Sequence, residues 1–480
     1  MFATATDLSG EAFDVLVIGA GPAGLTAAEE AQRRGWRPLV IEAGRQVGGL
    51  SRTVRWKGNH VDIGGHRFLS SNSRVVQRWQ EWMGGRMTEV SRLSRILYRR
   101  KFYAYPLNLV DVLRNFEPAD LVRAAASYLL SVVRPIRPER SFADWVSNRF
   151  GRFLFRCFFK SYTEKVWGIS CDRLRADWAA QRISGMSLPV AVMNALGRGR
   201  GARSLADRFL YPALGPGSMW ETVAEQVVAD GGVLRFEEDV VRVSHRNFAI
   251  EEVETVAPDG TRHLYPVRRL VSTMPLGALV AALDPPAPPA VGAAAAALRH
   301  RDFLVVALAV SRHQLFRDNW LYIHDEGYKV GRVQNAGNWS PELVGEAGTS
   351  LILMEYFCSR GDPLWAQTDD ALIQLASGEL EGLGFAARHE ITDGHVIRQL
   401  NAYPVYDETY RANLDIIRTF LERFGNLSPA GRSGLHRYNN QDHAMLSGMA
   451  AVDFLGGVPN ASAWDVDIER SYHEEQVLPA

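Results

Sequence analysis

Cysteine is scarce in this chain, and neither sign of charge dominates. Cys157, Cys171 and Cys358 are the only three cysteines in 480 residues, and no two form a C-x-x-C pair. That excludes a disulfide framework and a thiolate zinc site, and it fits a reducing compartment, so a cytoplasmic location is expected. Lys+Arg and Asp+Glu both number 54, a balance that offers no electrostatic basis for binding nucleic acid. Long apolar runs are also missing. No stretch reaches the roughly 18–20 residues that span a bilayer, so no integral membrane segment is expected. The longest candidate, Leu121–Val133, is interrupted by Arg123 and reads as a buried or amphipathic helix, with peripheral membrane contact as the alternative. The run Phe13–Ile18 passes directly into a glycine turn, which is not the pattern of a secretory signal. No G-x-S-x-G, H-E-x-x-H or zinc-type spacing occurs, so no metal is expected and the reactive atom must come from a bound cofactor.

What is present starts with length. A chain of 480 residues exceeds one hydrophobic core, so two closely joined domains are expected. Phe13–Ile18 reads as a strand, Leu25–Arg34 as a helix and Arg37–Ile41 as a second strand ending at Glu42, which together form a β-α-β unit. Between the first two lies Gly19-Ala20-Gly21-Pro22-Ala23-Gly24, a G-x-G-x-x-G in the context that gives it meaning. Gly19 permits the tight turn, Gly21 lets backbone approach a pyrophosphate, and Gly24 lets helix and strand pack closely. The helix N-terminus offers free N–H groups to phosphates. Glu42 is placed to accept hydrogen bonds from an adenosine ribose. A second glycine pair, Gly48-Gly49, followed by Leu50 and Arg52-Thr53, favours FAD over NAD, because such an element supports the pyrophosphate and flavin edge.

Residues from about 75 to 205 differ in character, with helical stretches rich in Trp, Phe and Arg such as Val75–Met83 and Ser141–Trp167. They read as an inserted helical substrate layer ending in Gly197–Arg203, a glycine- and arginine-rich loop expected to be mobile. Strands return at Val233–Phe236 and Val240–Ser244, and a hairpin turns at Pro258-Asp259-Gly260. Leu270–Thr273 reads as a strand beside the nucleotide domain, and Phe303–Val310 and Leu351–Phe357 as strands of a substrate sheet. The expected organisation is α/β, with a Rossmann-like, GR2-type FAD-binding domain from residues 1–75, 206–275 and 395–480. The interleaved substrate domain, residues 76–205 and 276–394, is expected to hold helices and a mixed or antiparallel sheet.

Further residues carry candidate roles. Near the C-terminus, Gly431-Arg432 leads to Tyr438-Asn439-Asn440-Gln441-Asp442 and a helix beginning at His443. That helix N-terminus, carrying roughly half a positive charge, would stabilise a reduced flavin's anionic edge, and Asn440 or Asp442 is placed to cap it. Glu355 shares a strand face with Leu351, Leu353 and Phe357; a half-buried carboxylate there needs a partner, and an ion pair is expected. Six basic residues between Arg86 and Lys101 read as a solvated hairpin or as a steering patch for an anion.

Taken together, these motifs resemble the FAD-dependent amine oxidase/protoporphyrinogen oxidase superfamily, and within it the UDP-galactopyranose mutase-like branch. Four segments carry the closer likeness: Gly64-Gly65-His66-Arg67-Phe68 (G-P-H-x-F), Tyr162–Gly168 (Y-T-x-K-x-W-G), Ala402–Tyr406 (Y-Y-P-V) and Gly431-Arg432 through Tyr438 and Asp442. The chain departs where Gly65 replaces the family's proline and Asn-Asn-Gln-Asp replaces Y-D-M-D. The resemblance implies that Gly19, Gly21, Pro22, Ala23, Gly24, Glu42, Ala43, Gly48, Gly49, Leu50, Arg52, Gly65, His66, Val240, Arg432, Asn440, Asp442 and Met445 hold FAD. It implies that Tyr162, Trp167, Arg182, Arg332, Tyr403, Tyr406 and Tyr438 bind substrate, with Trp167 packing on the nucleotide base and Arg182 and Arg332 clamping a diphosphate. His66, Arg182, Arg332, Tyr403 and Tyr438 carry the implied catalytic roles.

The implied reaction interconverts pyranose and furanose forms of a nucleotide-linked sugar. Reduced flavin N5 attacks the anomeric carbon and displaces the diphosphate, with NAD(P)H as a candidate reductant. The partner expected is thus a small molecule, and a homodimer is left open. A flavin-dependent oxidoreductase of protoporphyrinogen oxidase, amine oxidase or desaturase type is the alternative; a pocket lined only with aromatics would favour it. A non-catalytic binding protein like the GDP-dissociation inhibitors is opposed by the intact glycine turn, Glu42 and Gly48-Gly49.

Overall fold

Val15–Ile18 is buried at every position, as an apolar strand must be when helices cover both faces of its sheet. It lies at the centre of five parallel strands in the order Val233–Phe236, Pro38–Glu42, Val15–Ile18, Leu270–Ser272, Leu427–Pro429. Val17 stands opposite both Val40 and Val271. The computed structural model describes residues 11–105, 107, 109–176, 203–205, 208–466 and 475–477. The expected loop Gly197–Arg203 therefore lies almost wholly outside the described residues.

The helix Pro22–Arg33 starts with proline in its first turn, where a missing N–H costs nothing. It packs on the C-terminal helix Gln441–Leu455 at glycine distance. A Cβ on Gly448 would stand 2.3 Å from the Ala23 carbonyl oxygen, and a Cβ on Gly24 1.9 Å from that of Gly19. Trp79, Met219, Trp220 and Met445 fill the same core. So do residues of Ser73–Met83, Leu276–Ala281 and Pro289–Ala297, stretches that lie largely in the sequence-based substrate layer. Arg78 joins the first of these helices to the core by donating to buried Glu29 and, at 3.0 Å, to Glu30.

The second sheet has seven strands in the order Ile391–Pro404, His300–Val310, Ser350–Cys358, Arg332–Asn335, Trp320–Ile323, Ser94–Tyr98, Lys101–Ala104. It is mixed, because Trp320–Ile323 runs parallel to Ser94–Tyr98 while the other pairs are antiparallel. Alternation along His300–Val310 splits its side chains between two cores. Phe303, Val305 and Ala307 face the Trp- and Phe-rich helices, and Leu304, Val306 and Leu308 face the core that includes Leu372, Ala376 and Leu380 of the helix Asp369–Gly382. The strands Phe303–Val310 and Leu351–Phe357 are thus paired as neighbours, Phe303 opposite Phe357. The hairpin at Pro258-Asp259-Gly260 forms between Ala249–Val256 and Arg262–Pro266. The six basic residues from Arg86 to Lys101 include the turn of the hairpin Ser94–Tyr98/Lys101–Ala104, and Arg95 and Arg99 are paired with Asp318 and Asp120.

Leu121–Val133 lies in a helix, Pro118–Val133, and of the two readings given for it, buried or amphipathic, the structure corrects the buried one. Among its residues only Asp120 is buried, since the helix rests on the Phe142–Phe155 helix by one edge and turns its remaining apolar side chains outward.

Gly448→Ala should lower stability by about 1–3 kcal/mol, because the crowding atom is backbone and cannot swing away. A thermal melt indistinguishable from the parent protein would contradict this packing.

Candidate functional site

The two glycine elements of the nucleotide domain face each other. Gly19 has φ 96°, and a Cβ there would meet Thr273 Oγ1 at 2.1 Å. A Cβ on Gly49 (φ 53°) would lie 3.1 Å from the Gly21 Cα. Gly48 N–H donates to the Ala20 carbonyl at 2.8 Å, which holds the second element against the first. Glu42 accepts from Ala20 N–H at 2.7 Å and Gly44 N–H at 2.8 Å, so the carboxylate already organises the turn and keeps lone pairs for a ribose. Glu238 N–H donates to the Glu42 carbonyl at 3.2 Å and Val240 follows two residues later, which places it on the strand leaving this turn. Arg52 Nη1 donates to the Gly49 carbonyl at 2.8 Å and to Gln399 Oε1 at 2.6 Å, tying the glycine pair to the second sheet.

These contacts test whether a dinucleotide fits. The Gly21/Gly49 approach leaves backbone without side chains, and no side chain caps the Pro22–Arg33 helix, so its N–H groups are available to phosphate. The C-terminal helix Gln441–Leu455 adds a feature that motif reading missed. Gln441 Oε1 accepts from Trp220 Nε1 at 2.9 Å, while its buried Nε2 has no protein partner. A buried amide donor left in this state calls for a polar ligand. Asn440 occupies the N-cap position, yet its side chain supplies no capping bond, and Asp442 lies inside the first turn. The capping role expected for these residues is corrected, and the helix end is left open. Met445 is fully buried and its sulfur accepts from Trp79 Nε1 at 3.1 Å, so its side chain serves the core.

The second half of the site is a cluster of rings around one guanidinium. Arg332 and Glu355 are directly opposed on adjacent antiparallel strands. Arg332 Nε donates to Glu355 Oε2, Gln334 Nε2 donates to Glu355 Oε1, and Arg332 Nη2 donates to Tyr403 Oη at 3.0 Å. Glu355 is fully buried, deeper than its sequence pattern implied. Phe303 and Phe357 lie under the Arg332 guanidinium, with Phe357 at 5.3 Å. Burial lowers the Arg332 pKa, but Glu355 together with Tyr403, Tyr162 and Tyr438 outweighs it and holds the group well above its ordinary value, so it is charged at every accessible pH. Tyr403 stacks on Tyr438 with centroids 5.6 Å apart, and the Arg432 guanidinium lies 4.6 Å from the Tyr438 ring. Arg432 donates to the carbonyls of Asn439 and, at 3.1 Å, Ala402, so it braces the C-terminal segment against the strand that carries Tyr403. Tyr438 N–H donates to Tyr406 Oη at 2.5 Å, closing the cluster.

Trp167 enters from the helical layer. A π turn at Arg156–Lys160 joins Phe142–Phe155 to Ser161–Trp167, and such turns recur at functional sites. Gly168 ends the helix at φ 63°, where a Cβ would stand 2.5 Å from the Arg301 guanidinium carbon. Lys165 Nζ donates to the carbonyls of Ile323 at 3.1 Å and Asp325 at 2.8 Å. Lysine and glycine of the Y-T-x-K-x-W-G element are therefore docking residues. Trp167 is 2% exposed and stacks on Tyr406 at 5.9 Å, which corrects the expectation that it offers a face to a base; it builds the wall behind the tyrosines. Tyr162 is half-buried and stacks on His324 at 5.0 Å.

His66 lies beside the ring cluster. Its Nδ1 lies 3.0 Å from the Gly64 carbonyl oxygen, and loss of water, followed by the charges of Arg432, Arg332 and Arg67, pushes its pKa down to about 3. The ring is neutral, and its hydrogen-bonded Nδ1 carries the proton. Gly65 is suited to its place, since a Cβ there would press on the Trp339 indole at 3.1 Å. Arg182 lies outside the described residues.

The family model for flavin containing amine oxidoreductases matches residues 22–451. The chain belongs to this family. Family membership implies FAD, and the glycine cradle, Glu42 and the open helix ends fit it. Among curated relatives, a flavin-containing amine oxidase of Oncorhynchus mykiss is 35% identical over 95 residues, which is 20% of this chain and 18% of the relative. The chain thus spans less than a fifth of that relative's length. Among solved structures, a reduced UDP-galactopyranose mutase is similar with TM-score 0.80 and 20% identity, covering 94% of this chain and 96% of that one. A putative protoporphyrinogen oxidase from Exiguobacterium sp. 255-15 is similar with TM-score 0.69 and 16% identity over 92% and 98%. The two-domain α/β fold of these flavoproteins is shared.

Two expectations follow from the site. Glu42→Ala should weaken FAD retention, read as loss of flavin absorbance on gel filtration; full occupancy would contradict the ribose assignment. Burial pushes His324 and His436 down to about 3 and His300 to about 4, alongside His66. Between their folded values and about 6.5 the unfolded chain binds protons that the native chain refuses, so stability falls as pH drops through that window. Buried Asp62, raised to about 7, opposes this with a single group. Denaturant midpoints at pH 7 and pH 5 should show the lower value at pH 5, and an equal or higher midpoint would overturn the assignment of neutral imidazoles.

Proposed function

We propose that the protein is a flavin-dependent mutase acting on a nucleotide-linked sugar. The observation that carries this reading is the half-buried, charged Arg332 set among Tyr403, Phe303 and Phe357, with Arg432 over Tyr438. An enzyme for apolar substrates or for amines, which are cations at neutral pH, has no use for two guanidiniums in its ring cluster, whereas a diphosphate leaving group does. The similarity to the mutase structure over nearly the whole of both chains supports the same reading.

Reduced FAD, when bound, supplies the nucleophilic nitrogen for attack at an anomeric carbon. The chain's own groups do the rest. Arg332 is held in place by Glu355, so it meets an anion without first being ordered. Arg332 also donates to Tyr403 Oη, which leaves that hydroxyl's own proton for a sugar or phosphate oxygen. His66 accepts no proton near neutral pH and acts as a hydrogen-bonding surface. No side chain is assigned as a general acid or base.

A flavin oxidoreductase is the second reading, favoured by the amine oxidase relatives and by the neutralisation of Arg332 by Glu355. The two readings separate under anaerobic conditions. The purified protein is incubated with a panel of nucleotide sugars, with and without dithionite, and the products are separated by chromatography. An isomer of equal mass formed only with reduced flavin is the expected result. Substrate-driven bleaching of oxidised flavin with no isomer would replace the mutase by the oxidoreductase. Arg332→Lys keeps the charge opposite Glu355 but loses the planar fork, so nucleotide-sugar affinity should fall at least about tenfold with flavin absorbance unchanged. Equal affinity would remove the diphosphate role.

A further inference from the structure

The most exposed large apolar side chains of the described residues all lie on one helix. Val133 is 76% exposed, Val122 69%, Leu129 61%, and Leu130 and Val132 57% each. They belong to Pro118–Val133, whose inner edge, Leu121 and Ala124, touches the aromatic core. Positions 118, 122, 125, 129 and 132 recur at helical spacing, so the outer face is a continuous stripe of Pro118, Val122, Ala125, Leu129 and Val132, flanked by Leu130 and Val133. At 1.5 Å per residue the stripe runs for about 24 Å. This inverts the usual surface helix, and an apolar face of this extent marks an interaction site.

Charge around the stripe identifies what covers it. Between Arg99 and Arg140 the chain carries eight basic and four acidic residues. The acids are largely spent. Asp120 is buried and paired with Arg99 and Arg123 at 3.0 Å each, and Glu139 with Arg149 at 2.9 Å. Arg114 precedes this helix in the chain and Arg134, Arg137 and Arg140 follow its C-terminal end; all four are exposed and form no ion pair among the described residues. A second copy laid on the same face would bring these cations together, which disfavours self-pairing. An anionic lipid surface satisfies both features at once, taking the aliphatic stripe below its headgroups and the arginines at them. No helix among the described residues is long and apolar enough to cross a membrane, so the contact is one of lying on the surface.

We propose that the helix Pro118–Val133 docks this protein peripherally onto anionic membranes. The test uses the full-length, flavin-loaded protein in cosedimentation with phosphatidylcholine vesicles with and without phosphatidylglycerol. Wild type should bind the anionic vesicles and lose binding in high salt. Val122→Ser/Leu129→Ser/Val133→Ser should bind at least about tenfold more weakly. Each charge reversal at Arg134 or Arg137 should cost at least about fivefold. Retained flavin absorbance and an unchanged melting temperature establish that the variants are folded. Absence of wild-type binding, equal binding by the triple variant, or equal binding to neutral vesicles would each overturn the proposal. A dimer that the triple variant dissociates, with no vesicle binding, would assign the face to a second copy instead.

Discussion

A fully buried carboxylate is tolerated only when a cation and hydrogen-bond donors meet it, and for Glu355 that demand links two strands. Arg332 and Glu355 are directly opposed across one antiparallel pair, so the register of the seven-stranded sheet and the ion pair enforce each other. A slip by one residue would place the carboxylate on the opposite face, among Leu304 and Val306, without a partner. Removing one member of such a pair typically costs about 3–5 kcal/mol, because the other is left as an uncompensated charge. The pair positions Tyr403 through a hydrogen bond, Tyr403 stacks on Tyr438, and Tyr438 is tied to Tyr406. The ring cluster is thereby anchored to the sheet at one charged point.

The nucleotide half obeys a different constraint, that of distance. Gly49 approaches Gly21 tightly and Gly448 approaches Ala23 more closely than any side chain allows, and these contacts bring the first glycine turn, the second glycine pair and the C-terminal helix together. Three segments far apart in sequence therefore meet at one place, with open helix N-termini and an unpaired Gln441 amide. His66 lies beside the ring cluster, close enough to Arg432 and Arg332 for both to depress its pKa.

Much of this was legible in residue order. The β-α-β unit with its glycines and Glu42 follows from local chemistry, since a tight turn, a close backbone approach and a strand-end carboxylate depend on neighbouring residues alone. The strands Phe303–Val310 and Leu351–Phe357 and the hairpin at Asp259-Gly260 were readable for the same reason. The likeness to the mutase branch pointed to Arg332, Tyr403, Tyr406 and Tyr438, and these residues do gather in one cluster.

What tertiary structure decided are relations that residue order does not contain. Trp167 became wall because Tyr406 arrived to stack on it, and Glu355 became the Arg332 counter-ion because their two strands pair in the register that opposes them. Gln441 lost its amide partner only when Trp220 claimed the other end of the side chain. Apolar content in Leu121–Val133 was visible from the start, but periodicity cannot say which face of a helix meets a core. The neighbouring helix chose one edge, and the remaining apolar surface was left facing outward. Local sequence thus determined the elements and the cofactor cradle, while long-range packing determined burial, pairing and exposure, because those are properties of neighbours that only the folded chain supplies.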